Sequence, residues 1–218
     1  MRVISLFIFD LDGTLVDTLD DITSSVNFAL GRLGRPPLPA VVVRGYVGDG
    51  ITTLMQRCLG GSAGQLDEAV ALYKNHHRNN LVVRSALYPA VSETLKYFQP
   101  VPMAVISNKS VEFIQPLLDG LGIGRYFRTI IGADSGLLLK PAPDALLKVM
   151  HDINAPKERT VMVGDGAADV ASGKAAGVIT CSVTYGFRSA EELEKTGPDY
   201  LIHDFSELKR LFAPGRPE

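Results

Sequence analysis

A chain of 218 residues that is 46% hydrophobic and 21% charged has the profile of a soluble globular protein with room for a sizeable core, as one large domain or one with a smaller insert. Its formal net charge of −2, without a cluster of Lys and Arg, offers no attraction to nucleic acid or to an anionic membrane, so both are set aside as partners. Cys58 and Cys181 lie outside any metal-ligand spacing and no apolar run nears the roughly 18 residues a spanning helix needs, so free thiols in a reducing, cytoplasmic setting are expected.

The run Val3 to Phe9 is short, β-branched and aromatic, as for a strand buried on both faces, and it delivers Asp10 at its carboxyl end. It meets Asp10 and Asp12 without a small-residue cleavage pattern, which argues against a signal peptide. Gly13 then permits a sharp turn. From Leu19 the apolar residues Ile22, Val26, Leu30 and Leu33 recur three and four apart, a helix that Asp17 or Thr18 can cap and that Gly34, Pro36 and Pro37 end. Further helices are expected over Pro39 to Tyr46, Ile51 to Leu59 and Leu66 to about Leu81, with a loop at Gly60 to Gly64. Residues 18–82 therefore read as a helical insert, and the adjacent His76 and His77 as a solvated helix face.

From Tyr88 onward strands and helices alternate, the signature of a parallel sheet with crossover helices. Pro89 to Phe98 reads as a helix, and Val101 to Ile106 as a strand ending at Ser107-Asn108-Lys109. A helix over Val111 to Leu121 leads to a short strand at Thr129 to Ile131, and a helix over Asp144 to Met150 leads to a strand at Arg159 to Val163 that ends at Gly164-Asp165. Ala167 to Ala176 is helical, Val178 to Val183 a strand, Asp199 to Ile202 an edge strand and Phe205 to Phe212 a terminal helix. The tail Ala213 to Glu218 reads as frayed.

Two of these strands end in acids, one at Asp10 and Asp12 and one at Asp165, with Asp169 four positions further on. Bringing like charges together is costly unless a cation offsets them, so the cluster argues for a hard divalent metal, magnesium fitting best. The histidines, His76, His77, His151 and His203, stand at none of the proposed strand ends, which disfavours zinc. Elsewhere Ser107 supplies a hydroxyl and Lys140 an ammonium, complementary groups for a phosphate. Asp10 is then a candidate nucleophile that forms an acyl phosphate, and Asp12 a candidate acid and base for the leaving alkoxide and the attacking water.

Four motifs, Asp10-Leu11-Asp12-Gly13-Thr14-Leu15-Val16-Asp17, Val105-Ile106-Ser107-Asn108-Lys109, Lys140-Pro141-Ala142-Pro143 and Gly164-Asp165-Gly166-Ala167-Ala168-Asp169, resemble in order and spacing those of the haloacid dehalogenase superfamily phosphatases. Within that superfamily the chain is most similar to the phosphoglycolate phosphatases, and the resemblance covers nearly its whole length. It implies an α/β fold with a doubly wound parallel sheet of strand order 3-2-1-4-5, formed by residues 1–17 and 83–218, and a helical cap at 18–82 with hinges near Asp17 to Thr18 and Arg84 to Tyr88. The expected activity is magnesium-dependent hydrolysis of a small phosphorylated metabolite, above all 2-phosphoglycolate, by a monomer or homodimer. Carried over by position, the resemblance makes Asp10 nucleophile and Mg2+ ligand, Asp12 acid/base and main-chain ligand, and Asp165 and Asp169 further metal ligands. Thr14, Ser107 and Asn108 would hold the phosphoryl group, and Lys140 would steady it together with Asp10.

Three features depart from the family pattern. Gly166 and Ala168 stand where serine and asparagine are frequent, and Ser107 where threonine is common. The insert carries one lysine, Lys74, on an expected helix, which argues against a phosphonate-cleaving Schiff-base chemistry. In the insert, Arg44 with the Gly48 and Gly50 amides is the candidate reader of a substrate carboxylate. Pyrophosphatase, nucleotidase and phosphosugar mutase activities share the phosphoryl site and remain alternatives. A receiver-type signalling module is argued against by Asp12 and by the insert.

Overall fold

The computed structural model describes residues 1–61 and 63–215; Ser62, in the expected loop, and the last three positions of the expected tail lie outside the described residues. Ser5 divides the expected first strand into β1 (Arg2–Ile4) and β2 (Leu6–Phe9), its amide turning aside to donate to the Arg159 carbonyl at 2.8 Å. Two short strands, β3 (Val16–Asp17) and β4 (Ala86–Leu87), pair antiparallel where the chain leaves and re-enters the core. The remaining strands are β5 (Met103–Ile106), β6 (Thr129–Ile131), β7 (Thr160–Gly164), β8 (Ile179–Val183), β9 (Tyr200–Ile202) and β10 (Phe212–Pro214).

The main sheet runs β6-β5-β2-β7-β8-β9, parallel throughout, so its strands follow the expected doubly wound order with β9 added at one edge. Alternation along β2 sends Phe7 and Phe9 to one face and Leu6 and Ile8 to the other. Phe7 lies 4.7 Å from the Phe98 ring, under α5 (Val91–Tyr97), while Leu6 and Ile8 share a cluster with Leu146 and Val149 of α7 (Asp144–Ile153). All four side chains are at most 1% exposed, each contributing about 1.5–3 kcal/mol of burial energy. This holds the carboxyl end of β2, and hence Asp10, rigidly in the middle of the sheet.

Several expectations are corrected at element ends. Helix α5 begins at Val91 rather than Pro89, because Ala90 adopts a left-handed conformation with φ 61°. The expected Phe205 to Phe212 helix is a 3-10 turn at Phe205–Glu207 followed by α10 (Leu208–Leu211). The expected frayed tail is corrected over its described part: β10 pairs in parallel with β1, and Phe212 is fully buried, its ring 5.8 Å from Phe7 and 5.3 Å from Tyr200.

The insert comprises α1 (Leu19–Arg32), α2 (Ala40–Tyr46), α3 (Ile51–Cys58) and α4 (Leu66–Arg78). They share a core built on Ile22, Val26, Val43, Leu54, Met55 and Tyr73. At the start of α1 the Thr18 hydroxyl does not cap the helix but donates to Asp12, and Asp17 Oδ1 accepts from the Leu19 amide at 3.2 Å instead. His77 corrects the expected solvated face, because it lies one further four-residue step along the buried stripe of Ala69 and Tyr73. Its Nδ1 is 3.0 Å from Ser25 Oγ and its ring 5.2 Å from Phe113; burial, with Lys109 and His76 nearby, pushes its pKa down to about 2, so the ring is neutral.

The return linker is clasped from α1. Asp21 accepts the amides of Val83, Arg84 and Ser85 and the Ser85 hydroxyl at 2.7–3.1 Å. Burial alone would raise its pKa, but the Ser85 hydroxyl and these amides outweigh it and hold the carboxyl below its ordinary value.

Candidate active site

Four strand ends and the loops after them converge on one cavity of about 250 Å³, covered by residues of α1, α3 and α4. Asp10 is set by the Val163 carbonyl of β7, which accepts its amide at 2.9 Å. The chain then wraps tightly: the Leu11 carbonyl accepts the amides of Thr14, Leu15 and Val16, and Gly13 sits at φ +86°. A Cβ on Gly13 would lie 2.3 Å from Asp165 Oδ2, and one on Gly186 2.4 Å from Asp165 Cβ, so only glycine lets both loops close on this acid.

The acids form a buried cluster. Oxygens of Asp10, Asp165 and Asp169 lie within 4.8 Å of one another. Lys140 Nζ is 2.9 Å from Asp10 Oδ1 and 2.6 Å from Asp169 Oδ1. Burial pushes Asp10 up to about 6, with Lys140 pulling down and Asp169 pushing up. Burial together with the charges of Asp10 and Asp169 lifts Asp165 to about 7, against the Phe187 amide and the Thr14 hydroxyl. Despite its own burial, Lys140 is raised by the same Asp10 and Asp169 and stays charged. One ammonium thus faces three crowded hard-oxygen donors, an arrangement that fits a divalent cation.

Asp12 is held apart from that cluster. Its Oδ1 accepts the Thr18 hydroxyl at 2.7 Å, and Lys109 Nζ reaches Oδ1 at 3.0 Å and Oδ2 at 3.2 Å. Ser107 and Asn108 also line the cavity. Asn108 joins three segments, its Nδ2 donating to the Gly48 and Lys140 carbonyls and its Oδ1 accepting the Lys140 amide.

Two of the expected phosphate or substrate ligands are directed elsewhere. The Thr14 side chain is fully buried, and its hydroxyl donates to Asp165 Oδ1 at 3.0 Å. Arg44 donates from Nε to the Phe187 carbonyl at 2.9 Å and from Nη2 to the Gly186 carbonyl at 2.6 Å, so its guanidinium ties the insert to a core loop. Both lie outside the residues that line the cavity.

The model of the family described as "Haloacid dehalogenase-like hydrolase" matches residues 7–183, most of the chain. The chain belongs to that family. As a haloacid dehalogenase-like hydrolase it is similar to curated relatives along nearly its full length. It is 38% identical to "Phosphoglycolate phosphatase 1" of Pseudomonas aeruginosa over 95% of this chain and 79% of the relative. It is 36% identical to "Phosphoglycolate phosphatase" of Colwellia psychrerythraea over 93% and 94%. Among solved structures, that of a protein described as a predicted phosphoglycolate phosphatase from Haemophilus somnus superposes with a TM-score of 0.92 at 28% identity, covering 97% of this chain and 99% of that one. No helix among the described residues of this hydrolase is long and apolar enough to cross a membrane.

Some of the groups at the site were not assigned from the sequence. Lys109 directly follows Ser107-Asn108 in the second motif, but only the fold brings it to its partner, Asp12. The Gly186-Phe187-Arg188 loop carries no periodic or motif signal and lies beyond the matched segment. It nevertheless supplies the amide on Asp165 Oδ2 at 2.7 Å and inserts the Phe187 ring into the insert's apolar core.

Proposed function

We propose that this hydrolase is a phosphatase of small phosphomonoesters, foremost 2-phosphoglycolate, which works through a phospho-Asp10 intermediate with residues 18–82 as a cap over the core. The observation that carries the reading is the division of labour between two carboxylates two residues apart. Asp10 lies in the acid cluster against Lys140, whereas Asp12 is outside it, bonded to Thr18 and Lys109. The similarity to proteins called phosphoglycolate phosphatase supports this reading.

Asp10, Asp165 and Asp169, with the Asp12 main-chain carbonyl, would hold Mg2+. When bound, magnesium would neutralise charge on the carboxylates and on the phosphoryl oxygens. Lys140 keeps the Asp10 carboxylate oriented, and Asp10 attacks phosphorus to give an aspartyl phosphate. Asp12 takes up a proton from solvent as substrate binds and gives it to the departing ester oxygen; it then takes one from the water that attacks phosphorus and returns it to solvent, which restores Asp10 and releases phosphate. Ser107, at the end of β5, is within the cavity to donate to a phosphoryl oxygen. Ile22, Val47 and Leu54 of the cap line the cavity and exclude bulk water during these transfers.

The test is a panel of 2-phosphoglycolate, pyrophosphate and a nucleoside monophosphate assayed with and without magnesium, run on the native chain and on Asp10→Asn. Magnesium-dependent phosphate release strongest on 2-phosphoglycolate, and abolished in Asp10→Asn with an unchanged circular dichroism spectrum, is the expected result. Retained turnover in Asp10→Asn would remove the covalent route. Strongest turnover of pyrophosphate or the nucleotide would replace the substrate assignment.

A further inference from the structure

Three of the described residues that line the cavity carry a full positive charge: Lys109, Lys140 and Arg188. Lys140 is clamped between Asp10 and Asp169. Arg188 donates to two main-chain carbonyls of the insert, Arg44 at 3.0 Å and Val47 at 2.6 Å. Lys109 differs from both. Its side chain is 6% exposed, and its ammonium rests on the two oxygens of Asp12, the carboxylate assigned to proton transfer.

This pairing has two consequences. It satisfies two charges that would be costly to leave alone in a half-apolar cavity. It also occupies Asp12 with an ammonium that gives no proton to the ester and competes for the oxygen lone pairs. An ammonium has three donors, so Lys109 can turn from one anion to another nearby without being left unpaired. A substrate that brings its own anion can therefore relieve Asp12.

We propose that Lys109 reads a carboxylate on the carbon attached to the ester oxygen of the substrate, and that it does so by exchanging Asp12 for that carboxylate. The proposal rests on the phosphatase reading above and specifies its leaving group. Asp12 must reach the ester oxygen to protonate it, and Lys109 is one hydrogen bond from Asp12. In a phosphoglycolate-like ester the carboxylate carbon is two bonds from that oxygen, which brings the anion within reach of the same ammonium. Arg44, the cation first expected to read a carboxylate, is held by the Gly186 and Phe187 carbonyls. The neutral ring of His77 and the apolar side chains of Ile22, Leu54 and Phe113 border the same cavity, so a charge pair formed there is weakly screened. A neutral leaving group leaves Lys109 on Asp12, so discrimination enters the chemical step as well as binding.

The experiment compares steady-state kinetics of 2-phosphoglycolate, ethyl phosphate and O-phosphoethanolamine on the native chain, on Lys109→Met and on Lys109→Gln. The native chain should prefer the carboxylate ester over ethyl phosphate, with the cationic ester poorest. In Lys109→Met the ratio of kcat/KM for 2-phosphoglycolate over ethyl phosphate should fall on the order of 10²-fold, the scale of one hydrogen bond between charged groups. Lys109→Gln, close in size and uncharged, should show the same collapse, and thermal melting reports whether either variant is folded. Equal losses on both esters, or a native chain indifferent between them, would overturn the role of Lys109 and leave the phosphatase reading standing. A native chain that hydrolyses none of the three would overturn that reading and the proposal with it.

Discussion

Asp21 shows how much one side chain can organise away from the chemistry. Its carboxylate gathers three consecutive amides and a hydroxyl from the linker that returns to the core. Asp21→Asn should cost about 2 kcal/mol at pH 7, the scale of charged hydrogen bonds lost in a buried setting, as measured by urea unfolding. Because the folded-state carboxyl lies below its ordinary value, its contribution is fully present above the unfolded-state value and is lost as pH falls through the folded one. The gap between native chain and variant should therefore close in acid; a gap that stays constant down to pH 3 would contradict the carboxylate account. From the sequence, Asp21 was one acid in the first turn of an expected helix. Asp10, Asp12, Asp165, Ser107 and Lys140 announced themselves at strand ends or in motifs, whereas Asp21 needed the linker beside it, 62 to 64 residues away, to have meaning.

Between elements, the loop at Gly186–Arg188 acts as a strap. The Phe187 ring lies in the insert's core, its carbonyl holds Arg44, and its amide holds Asp165. Phe187→Ala should destabilise the protein by about 3 kcal/mol, the lower end of values for large buried aromatics. It should also weaken magnesium binding measured by calorimetry, on the order of tenfold, because the amide that orients Asp165 shifts. Arg44→Ala offers a separate test. A side chain that ties loop to insert should raise KM several-fold for anionic and neutral esters alike. A loss confined to carboxylate-bearing esters would return substrate recognition to Arg44 and take it from Lys109.

For the molecule as a whole, the acid cluster couples stability to pH and to metal. Asp10 and Asp165 are raised to about 6 and about 7, so each stabilises the metal-free fold only below the ordinary carboxylate range and loses that contribution as pH climbs through its folded value. In the presence of a chelator, unfolding free energy should fall between about pH 4 and pH 7 through these two groups. Magnesium at a hundred times its dissociation constant should add about 2.7 kcal/mol, seen as a higher Tm than with chelator. No difference in Tm between the two conditions at pH 7.5 would count against the metal site.

The element order, the parallel sheet with its inserted helices, and the acids at the strand ends could be read directly from the chain. Each depends on local periodicity or on a residue's distance along the backbone from a strand end. Side-chain partners could not be read in that way. Lys109 finds Asp12 across 97 residues and Arg44 finds Gly186 across 142. His77 is buried because α4 turns that face onto α1 and Phe113, and the tail becomes a strand because β1 lies beside it. These contacts follow from sheet register and from how the insert packs on the core. A cation at the rim of a motif is therefore visible in the sequence, but whether it faces a substrate, a carbonyl or a neighbouring acid is decided only when the distant loops close around it.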